Sequence, residues 1–350
     1  MKLPKEKRKR LPVSILYSSF GDVVSRLDGE KNLKEILTLA EWDGGFIFKD
    51  NLIFTMFHTL TMLADAGYLD MKISNPLTGD ELLSSLKKLG VNKGDTLVVH
   101  SALSHLGYVD GGTNALISAL RSAVGEEGTI MAPIFTRPYV TFEGRLNKAI
   151  SYRPYDTRPD GALRDKSIYT GALSKAMLKE KDCARSNHST HEWVAIGKDA
   201  KALMSGHGMF DAPTGKTSPL DKALKKKASV ILLGCGVDSN TFIHYIETLA
   251  NAPYLQPAVI KYIDENGKEK IEFIKEHLPG HRSFYDGLDS EFYTEAVKHG
   301  LKISEEPYGM ASIFKMELQE LFDIGMKMFE DNPLATLCSD PKCLYCKKFR

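Results

Sequence analysis

The strongest constraint on the fold is the regular alternation of strand-like and helix-like patterns that begins after residue 78. Short apolar runs rich in β-branched residues, such as 96–100 and 229–233, predict buried strands. Stretches such as 114–124 place apolar residues three and four positions apart, which is typical of an amphipathic helix. This alternation predicts an α/β domain with a mixed, largely parallel central sheet flanked by helices. Further strands are predicted at 129–135 and 193–196, further helices at 80–89, 171–179, 199–204, 240–251 and 316–331, and a hairpin at 257–273.

The first 73 residues show a different pattern, which we interpret as a small winged-helix-like unit. A helical pattern at 32–40 is followed by a long amphipathic pattern at 51–67 and a strand-like exit. The second helix carries no Lys or Arg, so it lacks the basic face that DNA recognition needs. We therefore expect residues 1–73 to serve in packing, docking or homodimer formation, and 74–350 to form the functional domain.

Charge and hydropathy exclude several classes of partner. The formal net charge is +1, which gives no overall attraction to nucleic acid or to an anionic membrane. The apolar runs are too short to cross a bilayer, and the basic start of the chain is not followed by the apolar core of a signal peptide. We expect a cytoplasmic protein that acts on a small molecule.

The cysteines leave two alternatives open. There are five of them, and an odd number does not suit a full disulfide framework. Cys338, Cys343 and Cys346 follow a C-x4-C-x2-C spacing near the end of the chain. Zinc prefers four ligands, and the tail has no histidine to supply the fourth. The alternatives are a metal site and a thiol-bearing tail, and we expect no metal.

Polar residues concentrate at three junctions between predicted strands and loops, which suggests one active site at an edge of the sheet. The first junction begins at His100 and carries a Gly-Gly pair before a helix. This arrangement suits an anion such as a pyrophosphate, and the alternative is a tight turn without a ligand. It matches neither a dinucleotide-binding nor a P-loop motif. The second junction contains His188 and His191, and a neutral imidazole is well suited to proton transfer.

The third junction follows the strand at 229–233 and offers two mechanisms. Glu247 is three positions after His244, so its carboxylate can orient an imidazole from another loop or simply bond to His244 itself. Cys235, between two glycines, raises the alternative of a thiolate nucleophile, which would predict a covalent acyl-enzyme.

Taken together, these segments resemble the aminoglycoside 3-N-acetyltransferase family over residues from about 82 to 338. The clearest segments are GDTLVVHSAL from residue 94, HSTHEWVAIG from residue 188 and TGKTSPL from residue 214. Further matching segments are 106–112, 125–133, 169–173, 236–247 and 308–311.

The resemblance implies an acetyl-CoA-dependent N-acyltransferase that transfers the acyl group directly to an amine. By the family pattern, His191 would be the general base and Glu247 would orient it. The donor would be held by His100, Ser101, Ala102, Leu103, Ser104, Gly111, Gly112, Thr113 and Ser218. Substrate contacts would come from His188, Asp238, Asn240 and Tyr169.

Two features depart from the resistance enzymes of this family. The stretch 137–166 is predominantly basic, which suits an amino sugar bearing an anion better than a polycationic drug. The unit at 1–73 is an addition that the core enzyme does not need. The alternative function is a non-catalytic regulator in which a winged-helix module is joined to a coenzyme-binding sensor domain.

Overall fold

The computed structural model describes residues 35–37, 60, 64, 75–135, 140–142, 153–154, 170–263, 268–277 and 281–350. The chain divides into two compact units, Met1–Leu77 and Thr78–Arg350. In the first unit, Ile36 and Leu60 are helical and buried. The predicted winged-helix arrangement and its boundary at residue 73 otherwise lie outside the described residues and stay predictions.

The described residues of the second unit form two sheets. Its strands are β1 Thr96–Ser101, β2 Thr129–Pro133, β3 Val140–Phe142, β4 Arg153–Pro154, β5 Ala184–Arg185, β6 Trp193–Gly197, β7 Ser229–Leu233, β8 Leu255–Ile263, β9 Glu269–His277, β10 Ser304–Tyr308 and β11 Ala311–Glu317. Seven of them form the central sheet in the order β10-β11-β7-β1-β2-β6-β5, while β3, β8, β4 and β9 form the smaller sheet.

Helices flank the central sheet. They are α1 Gly79–Lys88, α2 Gly112–Val124, α3 Ala172–Met177, α4 Ala200–Met204, α5 Pro219–Lys225, α6 Phe242–Leu249, α7 Glu291–Lys298 and α8 Leu318–Asp331. The start of α1 is fixed by a capping box, in which Thr78 and Glu81 each accept a hydrogen bond from the other's backbone N–H. None of the helices within the described residues combines the length and apolar character needed to span a bilayer.

The register of the central sheet brings the ends of several strands to one edge. β1 runs parallel to β7 with Ser101 opposite Leu233, so both strands end at the same level. β2 is also parallel to β1. β6 is antiparallel to β2 with Trp193 opposite Pro133, so the segment that enters β6 arrives at this edge as well. The three junctions expected from the sequence therefore meet at the carboxyl edge of β1, β2 and β7.

The main core lies on one face of this sheet. Val98, Val230 and Trp193 point into it from three strands and pack with helix residues such as Leu220 and Phe242. All five of these side chains are buried. The core thus fixes β1, β6 and β7 relative to α5 and α6, which carry part of the candidate site.

The predicted α/β class and mixed sheet are confirmed. Within the described central sheet only the pairs β1–β2 and β1–β7 are parallel, so that sheet is not largely parallel as predicted, and in the smaller sheet β4 pairs parallel with β8. The long C-terminal helix begins at Leu318, whereas the sequence pattern placed its start at 316, because Met316 belongs to β11. β10, with the sequence SEEPY, was not predicted because it has no apolar alternation. The predicted hairpin is present as β8 and β9, and its turn lies outside the described residues.

Candidate active site

The loops after β1 and β7 are joined directly. Ala102 donates its backbone N–H to the carbonyl of Leu233 over 3.0 Å. His105 Nδ1 lies 3.1 Å from the carbonyl oxygen of Gly234. Gly234 has a φ of +70°, and a Cβ atom there would lie 2.7 Å from Leu106 Cδ2. Glycine is therefore required at this position both by the backbone conformation and by the close approach of the β1 loop.

The predicted donor loop presents its glycines to solvent. Gly111 has a φ of +72° and is the N-cap of α2, which begins at Gly112. Both glycines and Ser104 are exposed, and Thr113 is half-buried. The first turn of a helix offers backbone N–H groups and a positive dipole end, so this arrangement can accept an anion.

Three predicted site residues lie in the interior of the protein. The side chains of His100, Ser218 and Asn240 are buried, and each has one polar atom without a hydrogen-bond partner among the described residues. Burial lowers the pKa of His100 to about 4, and its ring packs edge-on against Trp193. His100 is therefore neutral and part of the core beneath the loop. Its predicted contact with the donor stays a prediction.

His188 has a defined tautomer. Its Nδ1 accepts from the backbone N–H groups of Thr190 and His191, at 3.1 and 3.0 Å. Its Nε2 lies 3.0 Å from the carbonyl oxygen of Asp211, an atom that can only accept. His188 is consequently a neutral imidazole that shapes the loop presenting His191. It is 1% exposed, which favours this structural role over its predicted contact with substrate.

His191 is more accessible. It is half-buried, its ring centroid lies 4.5 Å from that of Phe135, and its Nδ1 is 2.6 Å from Thr190 Oγ1. The same hydroxyl lies 3.2 Å from His188 Nδ1. The Thr190 hydroxyl therefore connects the two histidines.

Glu247 lies at the centre of a buried polar cluster. Its Oε1 accepts from Arg282 Nε at 2.8 Å, from Tyr254 at 3.1 Å and from Thr336 at 2.7 Å. Its Oε2 is 2.6 Å from His244 Nδ1. The side chains of Glu247 and Arg282 are 0% exposed. Burial is the largest single influence on the pKa of Arg282 and would lower it, but the Glu247 carboxylate together with Tyr345 and Tyr254 outweighs burial, so the pKa is raised.

The carboxylate–imidazole pair in this cluster is His244–Glu247, which is the alternative that the i, i+3 spacing allowed. His244 Nε2, on the other side of the ring, lies 3.5 Å from Tyr285 Oη. The predicted orientation of His191 by Glu247 stays a prediction.

The remaining predicted residues differ in accessibility. Asp238 is exposed on the loop after β7, and Tyr169 lies outside the described residues. Burial raises the pKa of the Cys235 thiol to about 12. A thiol with this pKa is protonated at neutral pH, which disfavours the thiolate mechanism.

Sequence reasoning missed Arg282, Tyr254 and Thr336. They come from three separate segments, and none lies in a periodic pattern or motif. The feature that distinguishes these three residues is that polar side chains lie in the interior of the protein. Burial of an isolated residue cannot be recognised from the sequence.

Known proteins resemble this chain in sequence. The family model described as aminoglycoside 3-N-acetyltransferase matches residues 98–330. Aminoglycoside N(3)-acetyltransferase VIII from Streptomyces fradiae is 33% identical over 198 residues, covering 54% of this chain and 69% of that protein.

Solved structures show the same fold. A structure of sisomicin-bound AAC-VIa is 25% identical with a TM-score of 0.60, covering 73% of this chain and 99% of that one. AAC-IIIb in a binary complex with CoASH is 23% identical with a TM-score of 0.59, covering 76% and 100%. The enzyme class and the acetyl-CoA donor expected from the sequence are thereby confirmed. The chain belongs to the aminoglycoside 3-N-acetyltransferase family, and with it to the acetyl-CoA-dependent N-acetyltransferases.

Proposed function

We propose that the chain transfers the acetyl group of acetyl-CoA to a primary amine of an amino sugar or aminoglycoside-like acceptor, with His191 as the general base. The observation that carries this assignment is the short contact between His191 Nδ1 and the Thr190 hydroxyl, at 2.6 Å. Family membership supports the reaction class, and this contact supports the role of the residue.

The hydrogen bonds around Thr190 favour the tautomer that a base requires. The lone pair of His188 Nδ1, which accepts from the backbone N–H groups of Thr190 and His191, also faces the Thr190 hydroxyl, because His188 Nε2 carries the proton donated to Asp211. A Thr190 hydroxyl that donates to His188 can accept from His191 Nδ1–H. In this tautomer His191 Nε2 carries the lone pair that would accept the proton of the attacking amine.

The proposed step balances without any further reactant. The amine nitrogen attacks the thioester carbonyl, and its proton passes to His191 Nε2. The new C–N bond forms and the C–S bond breaks. The coenzyme leaves as a thiolate, which takes the proton back from the imidazolium. A positioned base of this kind contributes on the order of 10²- to 10⁴-fold to the rate.

Glu247 acts in this proposal through the cluster that it organises. Its contact with His244 Nδ1, at 2.6 Å, fixes the orientation of that ring, which makes His244 the second candidate for the base. An experiment can distinguish the two candidates, because only substitution of the base should abolish turnover without weakening the binding of the coenzyme.

The donor site is proposed at the loop after β1. The exposed Gly111 and Gly112 and the first turn of α2 would accept the pyrophosphate of the coenzyme. The buried Ser218 hydroxyl and the Nδ2 group of Asn240 have no hydrogen-bond partner among the described residues, although Asn240 Oδ1 accepts from the backbone N–H of Phe242. These two groups would serve the donor and the acceptor.

The proposed acceptor is an amine that also carries an anion, such as a nucleotide-linked amino sugar. The support is the basic balance of the stretch 137–166, most of which lies outside the described residues. Homodimer formation and a cytoplasmic location, both expected from the sequence, stay predictions.

Thiol release from acetyl-CoA tests the proposal, measured against aminoglycosides, nucleotide-linked amino sugars and amino acids. The variants are His191→Ala and His244→Ala, with His299→Ala as a matched control because His299 is an exposed histidine on the C-terminal side of α7. Calorimetric binding of the coenzyme is measured for each variant.

We expect His191→Ala to lower kcat by about 10²- to 10⁴-fold with the coenzyme Kd unchanged. Loss of turnover in His244→Ala alone would transfer the role of base to His244. Tight coenzyme binding without turnover on the whole panel would favour a sensor over an enzyme.

A further inference from the structure

Four potential metal ligands meet where the C-terminal tail folds back on the domain. They are Cys338, Cys343 and Cys346 from the tail and His281 from the segment before α7. Their ligand atoms all lie within 4.8 Å of one another. Cys338 and Cys346 are buried, and all the cysteines of the chain are free. The fourth ligand that the tail lacks in sequence is thus supplied by the fold.

The distances fit a tetrahedral centre. His281 Nδ1 lies 3.2 Å from Cys338 Sγ and 3.8 Å from Cys346 Sγ. Zinc bonds of about 2.3 Å to sulfur and about 2.0 Å to nitrogen, at a tetrahedral angle, place nitrogen and sulfur about 3.5 Å apart. The two observed separations lie on either side of this value. A metal can therefore be inserted with only small movements of the side chains.

The surroundings of His281 match a metal ligand. Its Nε2 faces the carboxylate of Asp286 at 3.3 Å. A carboxylate that accepts the proton of one ring nitrogen directs the lone pair of the other nitrogen to the metal. Here that other nitrogen is Nδ1, which faces the thiols. The backbone N–H of Cys346 also donates a hydrogen bond to Cys343 Sγ over 3.5 Å.

We propose that His281, Cys338, Cys343 and Cys346 bind one structural zinc ion. Three thiolates and one imidazole make a closed four-ligand set, which is typical of structural zinc and leaves no position for a substrate. The expectation of no metal depended on the missing fourth ligand, and His281 removes that objection.

The zinc ion would hold the tail against the Glu247 cluster. His281 precedes Arg282, whose guanidinium lies 4.6 Å from the ring centre of Tyr254 and 5.3 Å from that of Tyr345. Tyr345 is adjacent to Cys346 in the tail. Coordination of His281 and Cys346 by one ion therefore fixes both sides of Arg282, and through it the position of Glu247.

The metal content of the whole chain, purified without chelators, tests the proposal. We expect about one zinc per chain by mass spectrometry of the elements, and a cobalt-substituted protein with the charge-transfer absorption of thiolate ligands. Cys343→Ser and Cys346→Ser should lower the zinc content at least tenfold. Cys183→Ser is the matched control, because Cys183 is a half-buried thiol of this chain outside the cluster.

Two further measurements test zinc binding without relying on variants that lose a ligand or on enzymatic activity. His281→Cys should retain zinc and strengthen the cobalt–thiolate absorption, since it changes three sulfur ligands to four. Wild type stripped of metal should regain one equivalent on titration. A wild-type chain that contains no zinc and gives no cobalt–thiolate absorption on reconstitution would overturn the proposal, as would a disulfide between two of the tail cysteines.

Discussion

The buried pair of Arg282 and Glu247 permits a quantitative prediction. Replacing Arg282 by Met keeps most of the volume and removes the guanidinium, so that the Glu247 carboxylate stays buried without its main counter-charge. Both side chains are 0% exposed and their atoms are 2.8 Å apart. Removal of one partner from a buried pair costs about 3–5 kcal/mol of unfolding free energy.

We expect a loss near the lower end of this range, because Tyr254, Thr336 and His244 still contact the carboxylate. Urea unfolding, followed by circular dichroism, measures the free energy, and an unchanged m-value shows that the same transition is compared. Glu247→Gln and the double variant complete a cycle that isolates the coupling between the two residues.

Lys298→Met is the matched control, since Lys298 pairs with Glu295 at the surface, where the side chains are 66% and 47% exposed. An exposed pair of this kind contributes little to stability, because solvent and salt screen the two charges. The reasoning fails if Arg282→Met loses no more stability than Lys298→Met, or if the double variant is as unstable as the sum of the two single variants.

Two other predictions concern histidines. Thr190→Val removes the hydroxyl between His188 and His191. We expect kcat/KM to fall about tenfold, equivalent to about 1.4 kcal/mol for one lost hydrogen bond, and Thr190→Ser to restore it. Equal rates for Thr190→Val and wild type would remove Thr190 from the mechanism. Burial lowers the pKa of His100 to about 4 and, with the nearby His188, that of His207 to about 3, from ordinary values of 6.5. The unfolded chain therefore binds protons below pH 6.5 that the folded chain does not, so the unfolding free energy should fall as the pH drops from 6.5 towards 4. His207→Gln should reduce this dependence of the unfolding free energy on pH, measured by urea titration. An unchanged pH dependence in His207→Gln would contradict the lowered pKa of His207.

The sequence predicted the central strands well and their directions poorly. Residues 96–100 and 229–233 are continuous apolar runs, so their strands were found almost to the residue. The antiparallel direction of β6 depends on how the chain returns to the sheet, which a five-residue pattern does not record. β10 was missed because a polar edge strand lacks apolar alternation.

The candidate site was predicted in part, for a related reason. The three junctions could be recognised because polar residues directly follow or precede strong strand patterns. The partners of Glu247 could not, since Arg282 is 35 positions away and Thr336 is 89. His281 and Cys338 are 57 positions apart, so a search for zinc ligands within the tail overlooks the histidine. Contacts between distant loops are properties of the packed fold and leave no local periodic signal.

The pairing of β1 with β7 has a consequence for the order of events during synthesis. His105 and the carbonyl of Gly234, which meet at the edge of the sheet, are 129 positions apart. β1 can pair early with β2, but its other edge stays open until β7 has left the ribosome, and β11 follows later still. Pairing across such separations is slow, and the open edge of a central strand is exposed to aggregation until its second neighbour arrives. We expect nascent chains that stop before β7 to require chaperones, and the native sheet to form only after β7 and β11 have been translated.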